Sequence, residues 1–408
     1  MTPLEDARNI VLARCSVLAT VEVFFRDALG KILATDVVAR ENVPHFANTA
    51  VDGYAVRSVD VAQAPVELSV IGELAAGARP AQSVEPGTAI RIMTGAPIPS
   101  GCDAIVMVED TQRVGDHAVR INAAVSQGAS IRDAGSDVSK GTVVFCHGTL
   151  VTPAVLGTLA SINARTVSVY RTARVGVLST GDELVEDGSD LEIGQIRESN
   201  RVMLLRLVEQ AGLDAVDLGN VVDDESLLEA RLRQAVGELS CDAIVSSGGV
   251  SMGDYDVVKA VLSKIADMSW MQIAMKPAKP FAFGTLRNAT GVDVPIFGLP
   301  GNPVSSLVSF ELLARPALRI MSGFGDTAWR PRVRAVLDEE IVRKPDGKMH
   351  FDRGFARFSD DGHVHVTRTG PQGSHQLAAT ALANALIEVP DGSGLQAGDP
   401  VTVTFLGP

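Results

Sequence analysis

The spacing of apolar residues changes three times along the chain. Residues 4–11 carry apolar side chains at helical spacing behind Thr2 and Pro3, which predicts an opening helix with a capping box and proline at its first helical position. From residue 42 to about 131, short β-like runs alternate with Gly, Pro and Asp turns and no long helical period occurs. We therefore expect an inserted β-rich domain after the first helix.

The middle of the chain alternates strand and helix patterns. From Arg174 to about Met321, apolar runs each lead into a polar loop and then an amphipathic helix. This alternation predicts a mostly parallel sheet with helices on both faces. Thr152 and Ser199 are predicted to cap the helices that follow them. After Pro331 short strands return, which predicts a small C-terminal β-barrel or sandwich.

Composition and charge narrow the class of protein. The 408 residues are 46% hydrophobic, 21% charged and 4% aromatic, and the net charge is −13. This length suggests about three domains. An acidic chain with few aromatic residues lacks the basic surface that nucleic acids require, so we expect no nucleic-acid partner. To bind an anion, such a protein must gather Lys and Arg locally.

The cysteines and the chain start indicate a cytoplasmic protein. Four cysteines occur without any C-x-x-C spacing, which predicts neither a disulfide framework nor a zinc site. The first six residues are acidic, unlike a secretory signal. Residues 141–164 lack charged side chains but contain Pro153 and three glycines, so we predict a strand followed by a helix and no membrane span.

The most specific local pattern is a glycine run after the apolar stretch 241–245. Its sequence is Ser246-Ser247-Gly248-Gly249-Val250-Ser251-Met252-Gly253-Asp254-Tyr255-Asp256. The glycines allow backbone N–H groups to approach an anion, and the two carboxylates are hard oxygen ligands for Mg²⁺. The pattern favours a phosphate-plus-metal site. The alternative is an ordinary strand-to-helix turn in which Asp254 caps the helix.

Three further polar loops follow predicted strands of the same sheet. They are Thr180-Gly181-Asp182-Glu183, Asp223-Asp224 and Gly298-Leu299-Pro300-Gly301-Asn302-Pro303. Because carboxyl ends of parallel strands share one edge, these loops are expected to form a common cleft with the glycine run. Each acidic loop by itself is equally consistent with a helix cap or a solvated turn. Neither a Walker pattern nor G-x-G-x-x-G occurs, which disfavours a P-loop NTPase or a Rossmann dehydrogenase.

Two lysines are held in a proline-rich segment, Lys276-Pro277-Ala278-Lys279-Pro280, just before a strand-like run. Their ammonium groups suit a phosphate or an oxyanion, because the prolines restrict the backbone. The alternative is an edge strand with protective lysines.

Other polar residues carry little signal by themselves. His363 and His365 share one face of a predicted strand, but no third ligand is near in the sequence, so an exposed pair is the simpler reading. Asp52, Asp137 and Arg353 resemble ordinary turn or surface residues.

Several long motifs, in one order along almost the whole chain, resemble the bacterial MoeA family of molybdopterin molybdenumtransferases, which includes the gephyrin E-domain. Besides the glycine run, the lysine segment and the loop beginning at Gly298, they are Thr49-Ala50-Val51-Asp52-Gly53-Tyr54-Ala55, Arg91-Ile92-Met93-Thr94-Gly95-Ala96-Pro97-Ile98-Pro99 and Ser179-Thr180-Gly181-Asp182-Glu183-Leu184. The chain departs from the family pattern at Val51, often Met or Lys, and at Ala278, often Gly.

The resemblance implies the last step of molybdenum cofactor synthesis, in which adenylated molybdopterin and molybdate give the cofactor and AMP with Mg²⁺. It also implies a split N-terminal helical or linker domain (1–44 and 137–171), an inserted β-rich domain (45–136), a molybdopterin-binding three-layer α/β/α domain with a mostly parallel sheet (172–322) and a C-terminal β-barrel domain (323–408).

The site roles follow from the same resemblance. The implied catalytic residues are Asp52, Thr94, Asp137, Glu183, Asp224, Asp256, Lys276 and Lys279. Glu183, Asp224, Asp254 and Asp256 are the candidate ligands of Mg²⁺. The implied substrate-binding residues are Thr180, Gly181, Asp182, Ser199, Asn200, Ser247, Gly248, Gly249, Ser251, Gly253, Pro300, Gly301, Asn302, Pro303, Arg353 and Ser374.

The resemblance further implies a homodimer in which Asp52 and Thr94 complete the cleft of the opposite subunit. A molybdopterin adenylyltransferase-type protein and apo-molybdoenzymes or their chaperones are the expected partners. Two competing functions are less favoured: an adenylyltransferase, which has a related α/β domain but lacks the other domains, and a non-enzymatic scaffold, against which the retained charged residues of the site argue. The sequence leaves open the choice between molybdate and tungstate, the carboxylates that ligate Mg²⁺ and the recipient enzymes.

Overall fold

The computed structural model describes residues 1–248 and 257–407. Of the predicted site residues, Gly249, Ser251, Gly253, Asp254 and Asp256 lie outside this part of the chain.

The first third of the chain is mainly β-structure. Its helices and strands are α1 (Leu4–Leu12), β1 (Thr20–Phe24), β2 (Val37–Val38), β3 (Asn48–Thr49), β4 (Gly53–Val56), β5 (Val66–Leu74), β6 (Thr88–Ile92), β7 (Ala104–Met107), β8 (Thr111–Val114), β9 (Ala118–Ile121), β10 (Ile131–Arg132), β11 (Val143–Phe145), α2 (Pro153–Ser161) and β12 (Thr166–Tyr170).

Strands and helices alternate in the middle of the chain. They are β13 (Arg174–Thr180), β14 (Leu184–Val185), β15 (Ile196–Arg197), α3 (Asn200–Gln210), β16 (Asp214–Val221), α4 (Glu225–Val236), β17 (Ala243–Ser247), α5 (Val257–Ile265), β18 (Asp267–Gln272), β19 (Met275–Lys276), β20 (Pro280–Arg287), β21 (Asp293–Leu299), α6 (Pro303–Ser309) and α7 (Arg315–Met321).

The last part returns to strands. They are β22 (Arg332–Leu337), β23 (Ile341–Val342), β24 (Met349–Phe358), β25 (Val364–Arg368), β26 (Ala385–Val389), β27 (Gly394–Leu395) and β28 (Pro400–Phe405), with one short helix, α8 (Leu377–Thr380), before β26.

The chain folds into two compact units. The larger unit comprises residues 1–21, 30–34 and 169–408, and the smaller unit comprises residues 22–29 and 35–168. The finer four-domain boundaries stay a prediction.

The smaller unit is built on a six-stranded sheet in the order β7-β4-β6-β5-β9-β8. The β5–β6 pair is parallel and the other pairs are antiparallel. Alternate residues of β4 enter two cores, with Tyr54 and Val56 on one face and Ala55 on the other. Helix α2 begins as predicted, because Oγ1 of Thr152 accepts a hydrogen bond from Val155 N at 3.3 Å and Pro153 follows. The expected β-rich insertion is confirmed.

The larger unit contains a central sheet in the order β16-β13-β17-β21-β20-β18, of which the first four strands are parallel. Residues alternate between its faces. Ile244 and Ile296 pack with α4 and α5, whereas Val245 and Phe297 pack with α3 and α6. Helices therefore cover both faces, as the strand and helix alternation predicts.

The opening helix differs from the prediction at its start. Helix α1 begins at Leu4 after Pro3 and has no side-chain cap. Thr2 instead pairs with the chain before β19: its N–H donates to Gln272 O at 2.7 Å, and its carbonyl accepts from Ala274 N at 2.8 Å. The predicted capping box is wrong because the Thr2 backbone is held by this distant segment.

The C-terminal strands form a closed barrel. Strands β24-β25-β22-β28-β26 are neighbours in that order, and β26 pairs back with β24. Strand β19 extends this sheet by pairing in parallel with β24, which places Lys276 beside His350. The barrel core consists of aliphatic residues such as Ile387 and Val403. Of the two predicted architectures, the barrel is the observed one. Among the described residues, no helix is long and apolar enough to cross a membrane.

Candidate active site

Asn200 joins three of the predicted site segments at the carboxyl edge of the central sheet. Its Nδ2 atom donates to Ser247 Oγ at 2.8 Å and to the carbonyl of Gly301 at 2.6 Å. These contacts link the first turn of α3 with the end of β17 and the loop after β21. The predicted convergence of these strand-end loops is therefore seen for residues far apart in the sequence.

The start of α3 is held by Glu198, which the sequence reasoning missed. Oε1 of Glu198 accepts hydrogen bonds from Arg201 N at 2.7 Å and from Ser179 Oγ at 2.9 Å, and its side chain is buried. Ser199 makes no side-chain capping bond, so its predicted capping role is wrong. The substrate-binding role of Ser199 stays a prediction, and its hydroxyl is not engaged in capping the helix.

Two glycines permit the close approach of the strand ends. Gly248 has φ +98°, and a Cβ atom there would lie 3.0 Å from the carbonyl oxygen of Thr180. Gly181 has φ +143°, and a Cβ atom would lie 2.3 Å from Oε2 of Glu183. A side chain at either position would thus be strained and crowded, which explains the choice of glycine.

Carboxylates follow two adjacent strands, β13 and β16. Oδ1 of Asp182 accepts from Asp223 N at 3.0 Å, which ties the two loops together. Oδ1 of Asp224 accepts from Ser226 Oγ at 2.5 Å and Leu227 N at 2.9 Å. The Ser226 hydroxyl, followed by the Leu227 amide, lowers the pKa of Asp224. Asp224 therefore caps α4, the alternative that the sequence left open, and its metal role stays a prediction.

No group of three His, Cys, Asp or Glu side chains within the described ranges could hold a metal ion by itself. Mg²⁺ commonly takes only one or two protein carboxylates together with substrate phosphates. Asp182 and Glu183 are exposed at the cleft edge and are hard oxygen donors of this kind. The edge therefore fits a Mg²⁺ ion that is shared with a phosphate-bearing substrate.

Two predicted site residues, Lys276 and Arg353, line a pocket of about 390 Å³ where β19 meets the barrel. Its lining is strongly basic but includes two carboxylates. The lining side chains that carry charge or can titrate are Lys276, Arg343, Lys344, Asp346, His350, Asp352, Arg353 and Arg368.

Arg353 is the most unusual side chain of this pocket, because only 1% of its surface is exposed. Its Nη1 donates to the carbonyl of Phe351 at 3.0 Å. Its Nε and Nη2 atoms have no hydrogen-bond partner among the residues that the structure describes. Burial lowers the pKa of the guanidinium, against the opposing effect of Asp352. A buried cation with unmet donors is costly unless a ligand satisfies it.

The two predicted lysines occupy different positions. Lys276 is exposed on the short edge strand β19, and Lys279 is exposed in the loop before β20. The protective edge-strand alternative thus describes β19 but not β20, which lies between β21 and β18. Ala278, between the lysines, has φ +72° and is buried. Because glycine favours this conformation, the family's usual glycine there has a physical reason.

Asp52 and Thr94 contact each other in the smaller unit. Oδ1 of Asp52 accepts from both the backbone N and the hydroxyl of Thr94, each at 2.7 Å. These bonds hold the pKa of Asp52 below its usual value, with a smaller effect from Arg91. Asp137 is exposed, and no hydrogen bond in the described chain joins it to either residue.

The two barrel histidines do not form a pair. Nδ1 of His365 lies 2.6 Å from Asp338 and Nε2 lies 2.9 Å from Asp361. The hydrogen bond to Asp338, followed by that to Asp361, raises the pKa of His365. The expected exposed pair on one strand is therefore wrong in part: His363 is exposed but precedes β25, whereas His365 is half-buried and held by two carboxylates.

Three family models match successive segments that together cover most of the chain. The family model of the MoeA N-terminal region (domain I and II) matches residues 2–163. The model of the probable molybdopterin binding domain matches residues 176–320, and that of the MoeA C-terminal region (domain IV) matches residues 334–406.

Relatives with known names agree over nearly the full length. The chain is 39% identical to the molybdopterin molybdenumtransferase of Haemophilus influenzae, covering 99% of this chain and 98% of the relative. It is 39% identical to molybdopterin molybdenumtransferase 2 of Mycobacterium tuberculosis, with 96% of each chain covered. It is 32% identical to the gephyrin of Dictyostelium discoideum, of which it spans 62%.

The solved structure of the molybdopterin biosynthesis moeA protein from Pyrococcus horikoshii OT3 matches with a TM-score of 0.81 and 30% identity, covering 99% of this chain and 100% of that chain. The chain combines a parallel sheet that has a polar carboxyl edge with a closed barrel that has a basic pocket. Together with the matched family models, this architecture identifies an enzyme of molybdenum cofactor biosynthesis. The chain belongs to the MoeA family of molybdopterin molybdenumtransferases.

Proposed function

We propose that this chain inserts molybdate into adenylated molybdopterin and releases AMP. Membership of the family makes the chain a transferase of molybdenum cofactor biosynthesis. The named substrates, the release of AMP and the use of Mg²⁺ are the parts that need testing.

One observation of this chain carries the proposal: the buried Arg353 guanidinium has two nitrogen atoms without a hydrogen-bond partner in the described part of the chain, and it lines the same pocket as Lys276. A tetrahedral oxyanion supplies acceptors for those donors and charge for both cations. In a chain of net charge −13, such a basic pocket is a local exception that favours an anionic ligand. Molybdate is the oxyanion that the family relationship indicates.

In the proposed reaction, the two dithiolene sulfurs replace one oxygen of molybdate. That oxygen leaves as water with the two thiol protons, and molybdenum keeps its oxidation state. A second water molecule splits the bond between the pterin phosphate and AMP. Arg353 and Lys276 hold the oxyanion, whereas the end of β17 and the loop after β21, joined by Asn200, hold the adenylated substrate.

When bound, Mg²⁺ supplies positive charge that neutralises the phosphates of the substrate. Asp182 and Glu183, exposed at the cleft edge, would hold it in this part of the chain. Asp254 and Asp256, which lie outside the described residues, remain candidate ligands as the sequence predicts.

The proposal includes a homodimer whose site is shared between subunits. Its support is that two groups of family-matched residues lie in different compact units: Asp52 and Thr94 in the smaller, and Lys276 and Arg353 in the larger. A molybdopterin adenylyltransferase-type protein would supply the substrate, and apo-molybdoenzymes or their chaperones would receive the product.

The test is single-turnover AMP release from adenylated molybdopterin by the purified full-length protein, with and without molybdate and Mg²⁺. We expect release that requires both. Formation of adenylated molybdopterin from ATP and molybdopterin would instead identify an adenylyltransferase. Absence of turnover in a protein that still binds adenylated molybdopterin would favour the scaffold alternative.

A further inference from the structure

The Arg353 backbone is clamped by one side chain, that of Gln372. Oε1 of Gln372 accepts from the backbone N–H of Arg353 at 2.7 Å. Nε2 of Gln372 donates to the carbonyl of the same residue at 3.0 Å and to the carbonyl of Gly370 at 3.0 Å. The primary amide thus pairs with Arg353 as the backbone of a neighbouring strand would.

We propose that Gln372 is a positioning residue for the oxyanion site and acts through Arg353. The inference deepens the proposed function and rests on it for the identity of the anion, molybdate. Gln372 lines the same pocket, and within the described chain its amide is engaged by the backbone of Arg353 and Gly370.

The sheet pairing explains why a clamp is needed at this position. Strands β24 and β25 pair from Phe358 to Gly354, where the register ends at the pair Gly354 and Arg368. Arg353 is the next residue of β24, so β25 no longer offers it a backbone partner. The Gln372 amide continues the ladder, and Thr369 N adds a bond to the Arg353 carbonyl at 3.0 Å. Side chain and loop thereby extend the β24–β25 pairing by one residue, opposite the pairing of Arg353 with Leu386 of β26.

The clamp matters because the Arg353 side chain, although buried, is long and is held by few hydrogen bonds of its own. A single hydrogen bond, from Nη1 to the carbonyl of Phe351, fixes its guanidinium among the described residues. The direction of the side chain therefore depends on the backbone from which it leaves. A change in that backbone would move the unsatisfied Nε and Nη2 donors relative to Lys276, the other cation of the pocket.

The loop that carries Gln372 is also fastened to helix α6. The carbonyl of Ser374 accepts from Val304 N at 3.1 Å, in the first turn of α6. Between them, Gly373 donates to Oε1 of Gln376 at 2.5 Å, and a Cβ atom at Gly373 would lie 2.7 Å from that oxygen. The loop therefore connects the oxyanion pocket with the strand-end loop that carries Asn302 and Pro303.

The decisive variant is Gln372→Met, which keeps the length of the side chain and removes all three of its hydrogen bonds, two of which go to Arg353. Molybdate binding to the full-length protein is measured by calorimetry, and molybdate-dependent AMP release is measured at saturating adenylated substrate. We expect the molybdate Kd and KM to rise about tenfold or more, as expected for lost alignment of a charged hydrogen-bond donor. The KM for adenylated molybdopterin and kcat at saturating molybdate should change by less than about twofold.

Two further variants separate positioning from simple loop stability. Gln372→Glu keeps the acceptor for the Arg353 N–H but loses the donor, so its molybdate affinity should be intermediate or lower. Gln396→Met is the matched control, because Gln396 is an exposed glutamine of the same barrel region that bonds Glu340 and not Arg353. This control should keep wild-type molybdate affinity.

A double-mutant cycle with Arg353→Met tests whether Gln372 acts through Arg353. If it does, adding Gln372→Met to Arg353→Met costs no further molybdate affinity. Additive losses in the cycle, or wild-type molybdate affinity in a folded Gln372→Met protein, would overturn the inference. If wild-type protein binds no molybdate and releases no AMP, the proposed function fails and the assignment of Gln372 fails with it. If wild-type protein binds molybdate and releases AMP, and the Gln372→Met variant does so equally well, only the positioning role is refuted.

Discussion

Both hydrogen-bond donors of Thr94, its backbone N–H and its hydroxyl, lie 2.7 Å from the same oxygen of Asp52. The two residues are 42 positions apart, and each belongs to a motif that resembles the MoeA family. Since hydrogen bonds to a carboxylate favour its charged form, Thr94 lowers the pKa of Asp52. The pair is a preformed unit and not two independent site residues.

This unit gives the first prediction. Thr94→Val removes the hydroxyl and keeps the side-chain shape, so Asp52 loses one of its two bonds and its pKa should rise. We expect molybdate-dependent AMP release to fall by about an order of magnitude, as for loss of one charge-assisted contact. Thr94→Ser keeps the hydroxyl and should remain close to wild type. Equal losses in the Val and Ser variants would show that the methyl group, and not the hydroxyl, is what matters.

The second prediction concerns the bridge made by Asn200. Asn200→Leu removes two hydrogen bonds and leaves Ser247 Oγ and the Gly301 carbonyl without this donor. We expect the free energy of unfolding to fall by about 1–3 kcal/mol. The KM for adenylated molybdopterin should rise, while the Kd for molybdate, which we propose binds in the pocket of Arg353, stays constant.

Ser247→Ala is the matched variant, because it removes only one of the two contacts. Chemical denaturation should show a smaller stability loss than for Asn200→Leu. If Asn200→Leu weakens molybdate binding as much as it weakens binding of the adenylated substrate, the two pockets do not act separately.

The third prediction follows from Asp352, a buried carboxylate beside Arg353. Burial raises its pKa in spite of the opposing effects of Arg353, Arg368, His350 and Lys276. An acid with a raised folded-state pKa holds its proton more tightly when folded. The free energy of unfolding therefore falls, as far as Asp352 contributes to it, when the pH rises from the ordinary pKa of Asp to the raised value.

Asp352→Asn removes this titration and one negative charge of the pocket. We expect the variant to be more stable than wild type at neutral pH and to bind molybdate several-fold more tightly. In calorimetry, wild-type protein should bind molybdate more tightly at acid pH than at neutral pH, because Asp352 is then protonated. The variant should lose this pH dependence. Weaker molybdate binding by Asp352→Asn at every pH would show that Asp352 orients Arg353 and does not compete with the anion.

The fourth prediction tests the shared dimer site. Asp52→Asn and Lys276→Ala lie in different compact units and should each abolish AMP release. In heterodimers of the two variants, one of the two sites would contain both wild-type residues, so about half of the wild-type activity per dimer should return. A fully active monomer in sedimentation analysis, or no recovery in verified heterodimers, would mean that each site is built within one chain.

Much of the fold could be predicted because apolar periodicity reports which side of a strand or helix is buried. Ile244 and Val245, for example, lie on opposite faces of the central sheet because successive residues of a strand alternate between its faces. Local capping signals were reliable where the partner is close in sequence, as for Thr152 and Val155. They failed at Thr2 and Ser199, because a distant segment holds the Thr2 backbone and the neighbouring Glu198 takes the capping bond.

The sequence by itself determined the order of strands and helices, the family, and the segments that carry site chemistry, since these depend on local composition and motif order. Only the tertiary structure decided which polar groups meet: Gln372 with Arg353, 19 residues away, and Asn200 with Gly301, 101 residues away. No periodicity encodes such pairs. Their geometry arises when separately encoded strands and loops pack and each buried donor must find an acceptor.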